Sequence, residues 1–420
     1  MPRGVGAAAV VALALLVAAP AGASSGARYG IQDDAWLAFG PGTLSQRVAT
    51  LDGLGVRVVR FTLRWDAVAP EKPARAADPS DPAYRWGVYG KVVDELHAQG
   101  IPVLLTLWGS PRWANGGGAP SRLPRSGIAG FAAAAAARFP FVRLWTVWNE
   151  PNSRTFSVPV SPKLYVTRAL NPAYAALHRA SSANEVAGGV TSPRKPPSGL
   201  SPLAFMQGMR AAHARLDAYA QNPYPVGRGE TPVRGTCESC FTMASLPAIR
   251  SDVTRYFGAK PLWLTEYGNQ TNPPDRLLGV SYAKQAAYVG EAALRVWRQP
   301  GVTVLIQFLV RDEPSLGGWQ SGLLTSRGAT KPSYHGFALP LAQVSRHGGR
   351  AVVWGQVRPG SGARSYVLQR AAGGRWRDVG GTVTTGASGT FLRTVALPAG
   401  TRLRVFAPDA GYASPALTLS

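Results

Sequence analysis

Two glutamates occupy unusually apolar stretches of this sequence, Glu150 in WTVWNEPN (145–152) and Glu266 in PLWLTEYG (261–268). Two facing carboxyl groups can cleave a glycosidic bond, because a protonated one donates to the leaving oxygen while an ionised one attacks the anomeric carbon. Such chemistry requires surroundings that drive the two pKa values apart. Either glutamate alone is as readily explained as half of a buried ion pair, but the two together favour the catalytic interpretation.

Strands and helices must bring these glutamates together, and the sequence alternates between the two patterns. Strand-like apolar runs lie at 29–34, 56–65, 101–109, 142–150, 185–192, 216–224, 261–268 and 302–310. Helical patterns lie at 44–55, 86–100, 126–139, 201–216 and 281–297. Continuous apolar runs are typical of parallel strands buried on both faces, and their alternation with helices indicates βαβ units.

Eight such units predict an α/β fold in the form of a closed (β/α)8 TIM barrel. The alternative is a doubly wound open sheet, which would place a glycine-rich phosphate turn after the first strand. YGIQDDAW (29–36) contains no such turn. The sequence therefore favours the barrel.

The barrel would place both glutamates at its mouth, because side chains for chemistry sit where barrel strands end. Glu150 follows the fourth strand and Glu266 lies on the seventh, on opposite sides of the mouth. Arg60, near the end of the second strand, could hold Glu266 ionised. Carboxyl groups about 5–5.5 Å apart would imply retention of configuration, and a wider gap would admit an inverting water.

The motifs WNEPN and LTEYG, in these positions, resemble those of glycoside hydrolases of clan A. The resemblance spans residues 29–340, includes LWGSPRWA and TKPSYHGF, and is nearest to family 39 and the related cellulase-like family 5. It implies a retaining two-glutamate reaction with Glu150 as acid/base and Glu266 as nucleophile.

The resemblance also implies roles for neighbouring polar residues. Asn149 would bond the sugar 2-hydroxyl, Tyr224 in QNPYP would orient the nucleophile, and Arg60 matches the arginine of the second strand. The chain departs from the pattern at Asn222, where many relatives carry histidine. This departure concerns the contacts to the sugar and not the type of reaction.

Aromatic residues near the strand ends are candidate platforms for sugar rings, whose apolar faces stack on aromatic side chains. We favour Trp108 and Trp319 among the 12 tryptophans, although either could equally pack in the core. Asp34, together with Trp36, is a weaker candidate for binding a terminal sugar.

The chain divides into three predicted segments. Residues 1–23 resemble a secretory signal, with Arg3, an apolar run at 5–19 and AGA before the cleavage point. An uncleaved anchor helix is the alternative, but the run is short for spanning a bilayer. Residues 24–345 form the predicted barrel, and 346–420, with short strands between Gly, Pro and Ser, predict an all-β sandwich. The sandwich could pack on the barrel or bind polysaccharide.

The cysteines and histidines give no sign of a metal site. Cys237 and Cys240 form CESC, and we favour a local disulfide over a metal site or a thioredoxin-like motif. The histidines show no metal-ligand spacing: His97, His178, His213, His335 and His347. We therefore predict no cofactor and no metal.

The formal net charge of +23 has two interpretations. One is a compositional bias spread over a solvated surface, and the other is attraction to an acidic polymer. The basic residues are scattered and form no nucleic-acid-binding motif. We expect a secreted, monomeric retaining glycosidase acting on a poly- or oligosaccharide, acidic glycans included, without nucleic acid or membrane partners after signal cleavage. The alternative is a non-catalytic carbohydrate-binding barrel.

Overall fold

Eight parallel strands close into a barrel in the computed structural model, which describes residues 26–420. The signal predicted at 1–23 lies outside the described residues. The strands are β1 (Arg28–Gln32), β2 (Val59–Arg64), β3 (Val103–Trp108), β4 (Leu144–Val147), β5 (Glu185–Thr191), β6 (Ala218–Gln221), β7 (Leu262–Tyr267) and β8 (Val302–Phe308). They follow one another around the barrel, and β8 pairs back onto β1. The predicted (β/α)8 fold is confirmed.

Helices connect the strands and cover the outside of the barrel. They are α1 (Asp34–Phe39), α2 (Leu44–Gly53), α3 (Trp65–Val68), α4 (Gly87–Ala98), α5 (Arg112–Asn115), α6 (Ile128–Arg138), α7 (Pro162–Tyr165), α8 (Asn171–Ala180), α9 (Pro202–Ala211), α10 (Leu246–Phe257), α11 (Tyr282–Arg298) and α12 (Pro332–Ala338). Several begin where the sequence provides a cap. The Thr43 hydroxyl oxygen accepts from Gln46 N at α2, and Ser201 and Ser281 cap α9 and α11 in the same way.

The inside of the barrel changes from apolar to polar along its axis. A buried cluster that includes Val58, Leu104, Leu144, Trp263 and Ile306 fills the interior. Two residues further along three strands, the next inward positions are threonines: Thr106, Thr146 and Thr265. The interior is therefore closed by apolar side chains below and offers hydroxyl groups towards the carboxyl ends of the strands.

The C-terminal strands form two antiparallel sheets. They are β9 (Leu341–His347), β10 (Arg350–Gln356), β11 (Ser365–Ala372), β12 (Arg375–Asp378), β13 (Val383–Thr384), β14 (Thr390–Val395), β15 (Arg402–Ala407), β16 (Tyr412–Ala413) and β17 (Leu417–Thr418). One sheet has the order β14-β10-β9. The second has the order β12-β11-β15-β16, with β13 paired to β11 and β17 paired to β15. The rings of Tyr366 and Phe391 stack between the sheets at 4.0 Å, as in a sandwich. The first strand begins at Leu341, before the predicted boundary at 346.

The sandwich packs directly on the barrel. Trp354 of β10 lies 5.9 Å from Trp297 of α11, and both are buried in one continuous core. Gly55 has φ of +71°, and a Cβ there would stand 2.2 Å from the Arg358 backbone. Only glycine permits this approach, which brings the sandwich against the amino end of the barrel.

Two further features of the fold bear on the predictions. Cys237 and Cys240, in the loop after β6, are joined by a disulfide with their Cα atoms 5.4 Å apart. Among residues 26–420, no helix has the length and apolar character needed to cross a membrane.

Candidate active site

Glu266 reaches the barrel interior because β7 contains a bulge. Between Leu264 and Tyr267 the strand advances three residues while β8 advances two. Strict alternation would point Thr265 inward and Glu266 outward. The extra residue re-aims the strand, so that both side chains bond to groups inside the barrel.

Arg60 and Tyr224 hold the Glu266 carboxylate from two sides. The Arg60 guanidinium is fully buried and forms an ion pair with Glu266 through Nη1 and Oε1. Tyr224 Oη donates to Glu266 Oε2 over 3.0 Å. Burial of Tyr224 and the negative charge of Glu266 raise the pKa of this phenol well above 10, so it stays a donor. Both carboxylate oxygens of Glu266 are therefore held by hydrogen-bond donors. The structure thus shows the Arg60 contact that the sequence suggested.

Arg60 also fixes Asn149. Arg60 Nη2 donates to Asn149 Oδ1 over 2.9 Å, while Arg60 Nε donates to Thr106 Oγ1 over 2.9 Å. Because Asn149 Oδ1 is occupied, its Nδ2 group is left to donate towards the cleft. The asparagine is thus held in one orientation beside the two glutamates.

Glu150 is turned into the cleft by an uncommon backbone. Trp148 and Glu150 have φ of 74° and 40°, values that L-residues seldom adopt. Trp148 N donates to Leu107 O over 2.8 Å, and Glu150 N donates to Val190 O over 2.9 Å. Bonds to both neighbouring strands thus hold a strained turn at the end of β4, as is common at functional sites.

The surroundings of Glu150 favour its protonated form. Burial, and then the negative charge of Glu266, raise the pKa of Glu150 from 4.5 to about 8, although Asn222 and Arg60 act in the opposite direction. Asn222 Nδ2 donates to Glu150 Oε1 over 3.2 Å, and Asn222 Oδ1 accepts from Thr265 Oγ1 over 2.8 Å. At neutral pH the site therefore pairs a carboxyl group that holds a proton with one held by a cation.

A cleft of about 460 Å³ lies above these glutamates. Trp319, 36% exposed, lines it and stacks on Tyr224 with ring centroids 4.6 Å apart. Trp108 also lines the cleft, but the Arg64 guanidinium lies 4.8 Å from its ring centroid and covers one face. Each ring thus has one covered face, and Trp319, which is the more exposed of the two, presents the more accessible platform.

Asp34 also lines the cleft. Its Oδ1 accepts from Thr62 N over 3.2 Å, and burial raises its pKa above 3.8. Trp36, its predicted partner, is buried in the core. The structure thus brings Asp34, but not Trp36, to the cleft with the catalytic candidates.

The other carboxylates near the strand ends have structural partners. Asp33 caps α1 through Trp36 N, and its Oδ2 accepts from the backbone N–H groups of Val310 and Arg311. The remaining pairs are Asp66 with Arg64, Asp312 with Lys331, and Glu313 with the Trp319 backbone N–H. These bonds hold the loops around the cleft in place.

Three polar residues of the site were not among the predicted site residues. Asn222 bonds the Glu150 carboxyl, and Gln32 Oε1 and Thr106 Oγ1 accept from Arg60 over 2.6 and 2.9 Å. Gln32 and Asn222 lie at the ends of β1 and β6, so the strand-end rule would have included them. Thr106 could have been noticed as a hydroxyl within an apolar run. Among residues 26–420, no cluster of three His, Cys, Asp or Glu side chains suited to a metal is found.

No protein-family model matches this chain, and no curated protein matches it in sequence. Solved structures do match this chain by their fold. A family 39 glycoside hydrolase from the gut symbiont Bacteroides cellulosilyticus WH2 has 16% identity and a TM-score of 0.59, over 89% of this chain and 81% of that one. A glucosidase from Croceicoccus marinus has 14% identity and a TM-score of 0.61, over 90% and 97% of the chains.

A β-glucosidase from Pyrococcus furiosus has 15% identity and a TM-score of 0.52, over 74% of this chain and 94% of its own. The predicted resemblance is therefore confirmed at the level of the fold. Identities this low define the barrel, and the chemistry must be argued from the residues in its cleft.

The raised pKa of Glu150 predicts a pH-dependent stability difference between wild type and Glu150→Gln. Because the pKa of Glu150 is higher in the folded than in the unfolded state, protonated Glu150 contributes to stability. This contribution is complete below the unfolded-state pKa of 4.5 and is lost as the pH rises through about 8. The unfolding free energy of the variant relative to wild type should therefore increase between about pH 5 and pH 9, by on the order of 2 kcal/mol. Urea unfolding across this range measures it.

Glu71→Gln is the matched control, because the Glu71 side chain is 71% exposed and its one ion-pair partner among residues 26–420 is the exposed Arg85. The difference in unfolding free energy between Glu71→Gln and wild type should not change with pH. Parallel curves for Glu150→Gln and Glu71→Gln would contradict the assignment of a proton to Glu150.

Proposed function

We propose that this protein is a secreted, retaining glycoside hydrolase that cleaves O-glycosidic bonds of a poly- or oligosaccharide. One observation carries the proposal: two carboxyl groups at one cleft have opposite surroundings, Glu266 between a guanidinium and a phenol, and Glu150 with a pKa raised to about 8. Glycosidases need this division between an ionised and a protonated carboxyl group.

The reaction proceeds by double displacement. Glu266 attacks the anomeric carbon while Glu150 gives its proton to the leaving oxygen, so the glycosidic bond breaks as the glycosyl–enzyme bond forms. Glu150, now ionised, then takes a proton from water, which displaces Glu266 and restores both groups. Asn149 donates through Nδ2 to the sugar 2-hydroxyl, because Arg60 occupies its Oδ1.

The surface beside the cleft favours substrates that include acidic sugars. A second cavity of about 370 Å³ adjoins the cleft and shares Tyr224 and Trp319 with it. Arg228, Arg276 and Lys284 line this cavity, together with a single carboxylate, Glu230. A glycan stacked on Trp319 would extend into this positively charged region.

A non-catalytic carbohydrate receptor is the second candidate. The presence of both carboxyl groups, each with partners suited to its catalytic role, argues against it. A receptor would need Glu266 only to compensate the buried Arg60, and it would have no use for a protonated Glu150 at the cleft.

Replacement of Glu266 by Gln tests the proposal directly. A panel of aryl glycosides and polysaccharides, both neutral and uronate-containing, is first screened with the wild type. On any substrate found, Glu266→Gln should lower kcat/KM by about a thousandfold or more, because the nucleophile is lost. Proton NMR of the first product should show the anomer of the substrate.

Glu71→Gln is the matched control, since the Glu71 side chain is 71% exposed and does not line the cleft. It should change kcat/KM by less than about tenfold. Full activity of Glu266→Gln would reject the catalytic assignment, and an inverted anomer would reject double displacement. Binding without hydrolysis across the panel would favour the receptor.

The acid role of Glu150 predicts a dependence on the leaving group. Glu150→Ala should slow cleavage of phenyl glycosides by about 10²- to 10⁴-fold, because their leaving oxygen needs a proton. Cleavage of 2,4-dinitrophenyl glycosides should be slowed far less in pre-steady-state measurements of aryl release. Equal slowing for both would contradict the acid role.

Export of the protein rests on the signal-like residues 1–23. We expect protein recovered from the culture medium of a host expressing the full chain to begin at about residue 24. N-terminal sequencing checks this, and recovery of the uncleaved chain with the membrane fraction would favour an anchor instead.

A further inference from the structure

A strongly basic pocket lies where the sandwich meets the amino end of the barrel, away from the cleft. It has a volume of about 320 Å³. Its lining includes four arginines, two from the barrel side and two from the sandwich side: Arg28, Arg57, Arg358 and Arg364. Arg28 begins β1 and Arg57 precedes β2, so the pocket lies at the end of the barrel opposite to Glu150 and Glu266.

Two of these guanidinium groups converge on a single oxygen. Arg57 Nη2 and Arg364 Nη2 both donate to Gly360 O, the latter over 2.7 Å. Two donors on one acceptor place these cations within roughly 6 Å of each other. Burial, and then the charge of Arg57, lower the pKa of Arg364 below its ordinary value. Like charges are therefore held together here against their repulsion.

Two of the guanidinium groups are buried to different degrees, and one of them has donors without acceptors. Arg358 is only 3% exposed, and its Nε donates to Gln356 Oε1 over 3.0 Å. Burial lowers the pKa of Arg358 to about 9. Arg364 Nε and Nη1 are buried without a hydrogen-bond partner among residues 26–420. Buried donors without acceptors are costly, which points to an acceptor from outside residues 26–420.

The described part of the chain provides no counter-charge. No acidic side chain lines the pocket, and none of its four arginines forms an ion pair within residues 26–420. Residues 1–25 contain no Asp or Glu. The cleft differs in this respect, since Arg60 and Arg64 there each face a carboxylate. The excess charge at the pocket is thus a local feature and not only a consequence of composition.

We propose that this pocket binds an oxyanion, that is, a phosphate, sulfate or carboxylate group. Guanidinium groups donate in a planar fork that matches such oxygens, and a buried anion would satisfy the free Arg364 donors. Because the arginines come from both parts of the chain, the anion ties the sandwich to the barrel. The source is either a free inorganic ion or the anionic group of an acidic polymer.

Thermal unfolding of the purified full chain in sodium sulfate and in sodium chloride, at equal ionic strength, tests the proposal. Sulfate stabilises many proteins without a site, so the diagnostic is a saturable rise in Tm at low concentration. Isothermal titration with sulfate gives the Kd. Arg57→Gln/Arg364→Gln should raise this Kd at least tenfold or abolish binding.

The matched control is Arg375→Gln/Arg377→Gln, which removes the same charge from exposed positions on β12. It should leave the Kd within about twofold. Arg28→Gln provides a second test that avoids misfolding, because the Arg28 side chain is exposed and makes no hydrogen bond within residues 26–420. It should weaken sulfate binding severalfold.

A sulfated dextran, compared with neutral dextran, distinguishes the two sources. Displacement of sulfate by the sulfated polymer in wild type would identify an acidic polymer, and failure to displace it would identify a small ion. Either result supports the site. Non-saturable stabilisation, or equal sulfate binding by wild type, Arg28→Gln and the double variant, would overturn it.

Discussion

The buried guanidinium of Arg60 links four strands of the barrel. It donates to Gln32 on β1, Thr106 on β3, Asn149 after β4 and Glu266 on β7. A cation removed from water is stable only when an anion and hydrogen-bond acceptors surround it. Glu266 is thus required by the fold, because it compensates this charge, as well as by the proposed chemistry.

The difference between the two glutamates follows from this constraint. Glu266 faces Arg60 directly, whereas Glu150 receives a single amide donor from Asn222 and feels the negative charge of Glu266. Two neighbouring carboxylates avoid ionising together, and the one without a cation keeps its proton. The amide of Asn222 donates a hydrogen bond to Glu150 but does not titrate. The two carboxyl groups therefore set the protonation state of the site.

Charge is organised differently at the two ends of the barrel. At the mouth, Arg60 and Arg64 are paired with Glu266 and Asp66. At the amino end, arginines gather between barrel and sandwich without an acidic partner among residues 26–420. The positive charge that makes up the net value of +23 is therefore not spread uniformly over the protein. The close approach at Gly55 and the buried Trp354 show that the sandwich shares the core of the barrel, so an anion at their junction would act on one folded unit.

The sequence by itself determined the eight strands, the barrel and the two glutamates, because apolar runs and strand ends are local patterns. It also singled out Arg60, Tyr224 and Trp319. Tertiary structure decided the rest. The bulge that turns Glu266 inward depends on how β7 pairs with β8. The contact of Asn222 with Glu150, and the arginines that meet at Gly360, join residues far apart in the chain, and no local pattern encodes which of them will be neighbours.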